Sequence, residues 1–292
     1  MSVSLQAYQG PEHEPFEWES ANGHAAVLVH GFPGTPAEMR PVAEVLHALG
    51  WATHGVLLPG FGREFPDITR HSHDDWADAV GKAVAKQRRK HKHVVLVGNS
   101  VGAALSMKVA AQEPVDGLLL FAPFWRANSR LLDGVFPIAR HLFPEIRPFK
   151  KADFDDPELR NALARFLPDA NLDDLETREA IRELSLPVDV LGQVRAAGRA
   201  GYDAAATVTA PTTIIQGEQD VISHPKLTRC IADRLAGPVT LHVIAGDHEL
   251  TRMNNGAQAE IVHAVLAFAT RKMASPAFHA GESLPRAPFH CP

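Results

Sequence analysis

Short apolar runs recur along this chain and alternate with stretches of helical period. Residues 25–29 (AAVLV), 52–58, 93–97 (HVVLV), 117–121 (GLLLF), 212–216 (TTIIQ) and 239–244 (VTLHVI) are bounded by glycine, proline or polar residues. That pattern predicts strands buried on both faces. Between them, residues 36–49 predict a helix with Thr35 at its N-cap, Pro36 in its first turn and Gly50 ending it. Residues 73–90 set Trp76, Val80, Ala83 and Val84 on one helical face. Further helices are expected from 103 to about 113, over 225–235 and over 257–271. Strand and helix in alternation call for a mostly parallel sheet flanked by helices, an α/β class.

The alternation breaks after residue 123. From 124 to 207 the chain is helical, punctuated by proline and poor in strands, with Leu131, Leu132, Phe136, Leu142 and Phe143 in one part and Leu159, Leu163, Phe166 and Leu167 in another. The organisation expected is a core formed by 1–123 and 208–272, a helical cap inserted at 124–207, and a weakly ordered tail over 273–292. Residues 1–24 read as an irregular or short-strand lead-in.

Composition narrows the classes. A 292-residue chain that is 45% hydrophobic and 22% charged has ordinary globular proportions. A net charge of −5 without a basic stripe argues against nucleic acid as a partner, and the basic run at 86–92 reads as a solvated helix end. No stretch of about 18 apolar residues predicts a membrane span, and the N-terminus lacks the apolar core of a signal peptide. Two cysteines, Cys230 and Cys291, leave a single disulfide tying the tail back as an alternative, but a reduced, cytoplasmic setting is the expectation. The 16 histidines do not fall at metal-ligand spacings, so no metal site is expected, and the serine chemistry read below needs no organic cofactor.

Candidate chemistry gathers at the ends of the expected strands. Gly98-Asn99-Ser100-Val101-Gly102 follows the 93–97 run directly and leads into a helix. A serine between two glycines at a strand-to-helix turn is a nucleophile elbow, although the same serine alone would serve as a helix N-cap. Ligands of parallel sheets collect beyond the carboxyl ends of strands. Glu218 and Asp220 follow the strand at 212–216; Asp247 and His248 follow the one at 239–244. Adjacent residues tend to point apart, so Asp247 is expected to structure its own loop; Asp220 is read as the acid, with Glu218 two residues earlier as a rival, and His248 as the base. The backbone N–H groups of Val101 and Phe32 are placed to form an oxyanion pocket, since Pro33 has no N–H to offer. Phe32, Phe124 and Trp125 are candidate substrate contacts.

HGFPGT, LPGFG, GNSVG, QGEQD and GDH, in this order, resemble the serine α/β-hydrolases and most closely the bacterial carboxylesterases and monoacylglycerol lipases. The resemblance covers residues 25–272 and is weakest in the cap. It departs at Phe61, where such enzymes often carry histidine. It implies the α/β-hydrolase fold, a triad of Ser100, Asp220 and His248, and cleavage of small carboxylic esters with an apolar acyl group. Two alternatives keep the fold. One is a C–C bond hydrolase or cofactor-free perhydrolase using the same triad; the other is a silent ligand-binding member.

Overall fold

All six apolar runs pair in one seven-stranded sheet in the computed structural model, which describes residues 8–127, 144–167, 170–252 and 256–274. The strands are β1 (Phe16–Trp18), β2 (His24–Val29), β3 (Ala52–Val56), β4 (His93–Asn99) and β5 (Gly117–Phe121). A separate two-residue pair follows, β6 (Glu145–Ile146) and β7 (Leu186–Pro187), before β8 (Thr212–Gly217) and β9 (Val239–Ile244) complete the main sheet. The order is β1-β3-β2-β4-β5-β8-β9, with every pair parallel except β1 against β3. The lead-in therefore contains a true strand, and its antiparallel pairing closes one edge of the sheet.

Alternate side chains of each strand serve different cores, as a sheet covered on both faces requires. Val94 and Leu96 of β4 join one buried cluster while Val95 and Val97 join the other. The first cluster lies under α2 (His73–Arg88) and α3 (Val101–Ala110), the second under α1 (Arg40–Ala48) and the C-terminal helix α8 (Gln258–Ala274). The segment expected as one helix over 36–49 splits into a 3₁₀ turn, Pro36–Met39, and then α1. Thr35 occupies the N-cap position but makes no capping bond; its hydroxyl lies 2.7 Å from His13 Nδ1 instead. The lead-in folds across this loop, and a tertiary partner has displaced the local one.

Within 124–207 the chain packs in two ways. Helices α4 (Pro157–Phe166) and α5 (Leu175–Arg182) share a small core of their own with Phe154, Leu163, Leu167, Leu172 and Ile181. Helix α6 (Val188–Ala204) instead lies along α3, burying Val190, Val194 and Ala197 in the first main core. Helix α7 (Pro225–Arg234) covers β8 and holds Cys230 in the same core, where its sulfur is in a disulfide and not the reduced thiol expected from the sequence. Leu131, Leu132, Phe136, Leu142, Phe143, Cys291 and the tail beyond Ala274 lie outside the described residues. Among the described residues no helix is long and apolar enough to cross a membrane.

Candidate active site

Parallel register brings the candidate residues to one end of the sheet. Val29 pairs with Gly98, Asn99 with Phe121, Phe121 with Ile215, and Gly217 with Ile244. The loops after β2, β4, β5, β8 and β9 therefore leave side by side.

Ser100 sits at φ 53°, ψ −113°, in the left-handed half of backbone space that a serine rarely adopts. Such a conformation costs about 1–3 kcal/mol and persists only where its surroundings hold it. Here they do. The Ser100 N–H donates to Phe121 O at 2.9 Å, and the Ser100 carbonyl accepts from Ala103, Ala104 and Phe124 N–H groups at 3.1, 3.3 and 3.2 Å. The flanking glycines are required by contact: a Cβ on Gly98 would lie 2.5 Å from Gly102 O, and one on Gly102 would lie 2.3 Å from Val29 O.

His248 links the other two candidates. Its Nε2 lies 3.0 Å from Ser100 Oγ and its Nδ1 lies 2.8 Å from Asp220 Oδ2. The Asp220 side chain is fully buried and its four hydrogen bonds divide evenly between its oxygens. Oδ1 accepts from the Ile222 and Ser223 N–H groups at 2.8 Å each. Oδ2 faces His248 and accepts from Gln216 Nε2 at 3.1 Å. Gln216 is itself buried and accepts from the Thr228 hydroxyl, so a second layer of side chains fixes the carboxylate plane. The loops bearing Asp220 and His248 are tied by Glu218 N–H to Ile244 O and Gln219 N–H to Gly246 O. Glu218 points to solvent, and the exposed Asp247 carboxylate accepts from Glu249 N–H, closing its own turn. Neither rival acid reaches the imidazole.

The Phe32 and Val101 N–H groups have no acceptor among the described residues, as an oxyanion pocket requires. The loop carrying Phe32 is held by His30, a fully buried imidazole whose Nε2 accepts from Leu58 N–H at 3.1 Å. That assigns the proton to Nδ1, which donates to Gly31 O at 2.8 Å. Burial pushes the His30 pKa down to about 4, keeping the ring neutral. Phe61, the departure noted in the sequence, packs edge-on against His30 at 4.9 Å and sits among Phe32, Phe65 and Trp76. It fills core.

Among the candidate substrate contacts, Phe32 and Phe124 are half-buried beside the serine loop, and Phe124 is bonded to Ser100 through its backbone. Trp125 is placed differently. Its ring stacks on Tyr202 at 4.0 Å and its Nε1 donates to Leu227 O, which commits the side chain to the contact with α6 and α7.

Two residues near the site went unremarked in the sequence. Gln216, the last side chain inside β8, had a signal: a polar residue ending an apolar strand just before the acid. Glu38 had none. It rises from the 3₁₀ turn, accepts from Gly31 N–H and from Asn99 Nδ2, and burial pushes its carboxyl pKa up while those two donors oppose the shift.

The model of a protein family described as serine aminopeptidase, S33 matches residues 21–252. A thermostable monoacylglycerol lipase from Bacillus sp. (strain H-257) is 34% identical over 102 residues, 35% of this chain and 40% of the relative. A carboxylesterase from Bacillus subtilis (strain 168) is 24% identical over 148 residues, 50% of this chain and 57% of the relative. The chain thus matches about half the length of these curated relatives. Among solved structures, one from the metagenome-derived lipolytic enzymes LipS and LipT superposes with a TM-score of 0.71 at 19% identity, covering 89% of this chain and 98% of that one. The monoacylglycerol lipase of Paleococcus ferrophilus gives 0.66 at 14% identity, with the same coverages. At these identities the likeness is one of fold: a mostly parallel sheet flanked by helices, the α/β-hydrolase architecture.

Proposed function

This chain belongs to the serine hydrolase family described as serine aminopeptidase, S33, and from that premise we propose that it cleaves carboxylic esters through an acyl-enzyme on Ser100. The observation that carries the reading is the unbroken hydrogen-bond chain from Asp220 through His248 to Ser100 Oγ. In the first half-reaction Ser100 Oγ bonds to the ester carbonyl carbon and its proton passes to His248 Nε2. The Phe32 and Val101 N–H groups hold the oxyanion. Collapse breaks the bond to the alcohol, which leaves with the proton from His248. Water then attacks the acyl-enzyme, gives a proton to His248, and the acid departs as Ser100 recovers that proton. Asp220 keeps Nδ1–H pointed away from the serine and stabilises the imidazolium.

The substrate class proposed is a short- to medium-chain acyl ester or a monoacylglycerol. Half-buried Phe32 and Phe124 beside the nucleophile suit an apolar acyl chain, and relatives named monoacylglycerol lipase and carboxylesterase support that class. The insertion at 124–207 is proposed as the cap over this pocket, with α6 as its root on the core and Trp125 as a pillar behind the wall. The test is hydrolysis of p-nitrophenyl esters of graded chain length by the native chain and by Ser100→Ala. The expected result is a loss of at least about 10³-fold on every ester in the variant. Unchanged turnover in Ser100→Ala overturns the reading.

A further inference from the structure

Resting on that reading, we propose that Glu38 is a positioning residue that locks the oxyanion loop to the nucleophile elbow. One carboxylate oxygen, Oε1, serves both sides of the seam. It accepts from the backbone N–H of Gly31, immediately before Phe32, and from Nδ2 of Asn99, immediately before Ser100. The two segments meet at that point: a Cβ on Gly31 would lie 3.2 Å from Ser100 Cβ and 3.4 Å from Asn99 Nδ2. Asn99 is buried, and its Oδ1 has no hydrogen-bond partner among the described residues, so the bond to Glu38 is what orients its amide. The opposite side of the loop is held by separate contacts, Tyr8 Oη donating to Pro33 O and His13 paired with the Thr35 hydroxyl. Those fix the loop against the lead-in; beyond the β2–β4 pairing, Glu38 is the side chain among the described residues that bonds both the loop and the elbow. An oxyanion pocket assembled from two loops needs its two N–H groups at a set separation, and a misplacement of about 1 Å costs roughly 10²-fold in rate.

The experiment measures kcat and KM on p-nitrophenyl butyrate, inhibition by butylboronic acid, and urea unfolding midpoints for Glu38→Ala, Glu38→Gln, Asn99→Ala and the Glu38→Ala/Asn99→Ala pair. Glu38→Ala is expected to lower kcat by about 10- to 100-fold with KM within about twofold, and to weaken the tetrahedral boronate adduct in parallel. Glu38→Gln keeps the shared acceptor oxygen and is expected to recover most of kcat. Asn99→Ala reports on the same link if the first variant folds poorly, and the pair is expected to cost little more than either single change. The proposal falls if Glu38→Ala keeps kcat within about threefold, if glutamine gives no rescue, or if the two losses multiply. Ser100→Ala run alongside separates the failures. An active Ser100→Ala overturns the nucleophile assignment and this proposal with it, whereas an inactive Ser100→Ala beside an unaffected Glu38→Ala overturns the positioning role alone.

Discussion

Replacing Asp220 by asparagine changes one atom and tests how the imidazole acquires its tautomer. The outcome follows from the donors around the carboxylate. Oδ1 accepts two backbone N–H groups, from Ile222 and Ser223, which cannot reverse their polarity. The asparagine carbonyl must therefore take the Oδ1 position, since the other orientation sets an NH₂ against two donors. The NH₂ then occupies the Oδ2 position, facing His248 Nδ1 and Gln216 Nε2. It donates to Nδ1, so the neutral ring carries its proton on Nε2, where Ser100 Oγ needs an acceptor. The nucleophile loses its base without any loss of side-chain volume.

Wrong-tautomer variants of Ser-His-Asp triads lose about 10⁴-fold in kcat, so a loss of about 10³- to 10⁴-fold is expected here, about 4–5.5 kcal/mol of barrier. The donor-donor contact with Gln216 adds a folding cost of about 1–3 kcal/mol, so urea unfolding must accompany the kinetics. The assay is kcat on p-nitrophenyl butyrate near neutral pH, with Asp247→Asn as the paired control. Asp247 is exposed and accepts the Glu249 N–H, a bond asparagine preserves, so its kcat is expected within about threefold of the parent. A loss under about tenfold for Asp220→Asn, or an equal loss for Asp247→Asn, would show that this carboxylate does not set the ring's tautomer.

Two further outcomes concern the scaffold. Gly102→Ala drives a methyl into the backbone carbonyls of Val29 and His30, at 2.3 and 2.4 Å, and is expected to destabilise by about 3 kcal/mol. Gly81→Ala, in α2 with open space around it, is expected to stabilise by up to about 1 kcal/mol, and equal urea midpoints for the two would refute the packing account. Acid stability should show His30. Its folded pKa is about 4 against an ordinary 6.5, so between those values the unfolded chain takes a proton that the folded chain refuses. The contribution is complete above about pH 6.5 and falls away as pH drops through that window, by about 3 kcal/mol in all. Urea midpoints of the native chain and His30→Gln across it should converge toward the acid end; parallel curves would refute the burial.

The sheet and the triad were legible because each rests on local pattern. A short apolar run bounded by glycine, proline or polar residues reads as a buried strand, and parallel strands deliver whatever follows them to the same end. Reading the polar residues after each run therefore picked out Ser100, Asp220 and His248, with Glu218 and Asp247 as rival acids, and the structure joins the first three in one hydrogen-bonded chain. Local pattern ran out where a side chain is claimed by a partner far away in sequence. Thr35 has the composition of an N-cap, but its hydroxyl faces His13 from the lead-in. Trp125 follows a strand end as a pocket residue would, yet Tyr202 and Leu227 hold it. Glu38 carries no mark in the sequence that sets it apart, and the meeting of the β2 and β4 loops gives it two donors.

Those distant contacts also explain how the legible part holds together. The Ser100 backbone stores about 1–3 kcal/mol, and a lone Gly-X-Ser-X-Gly turn has nothing to oppose that. Here four backbone hydrogen bonds converge on the serine, two of them with Phe121, the last residue of β5, and Phe124 just beyond it. At about 0.5–1.5 kcal/mol each, they offset the strain only if β5 is in register beside β4. Ala122, next to Phe121, itself sits at φ 40°, so the neighbouring loop shares the distortion instead of relieving it. The elbow is thus a property of two adjacent strand ends. A change that loosens β5 should relax Ser100 toward ordinary backbone geometry and cost activity before it costs the fold.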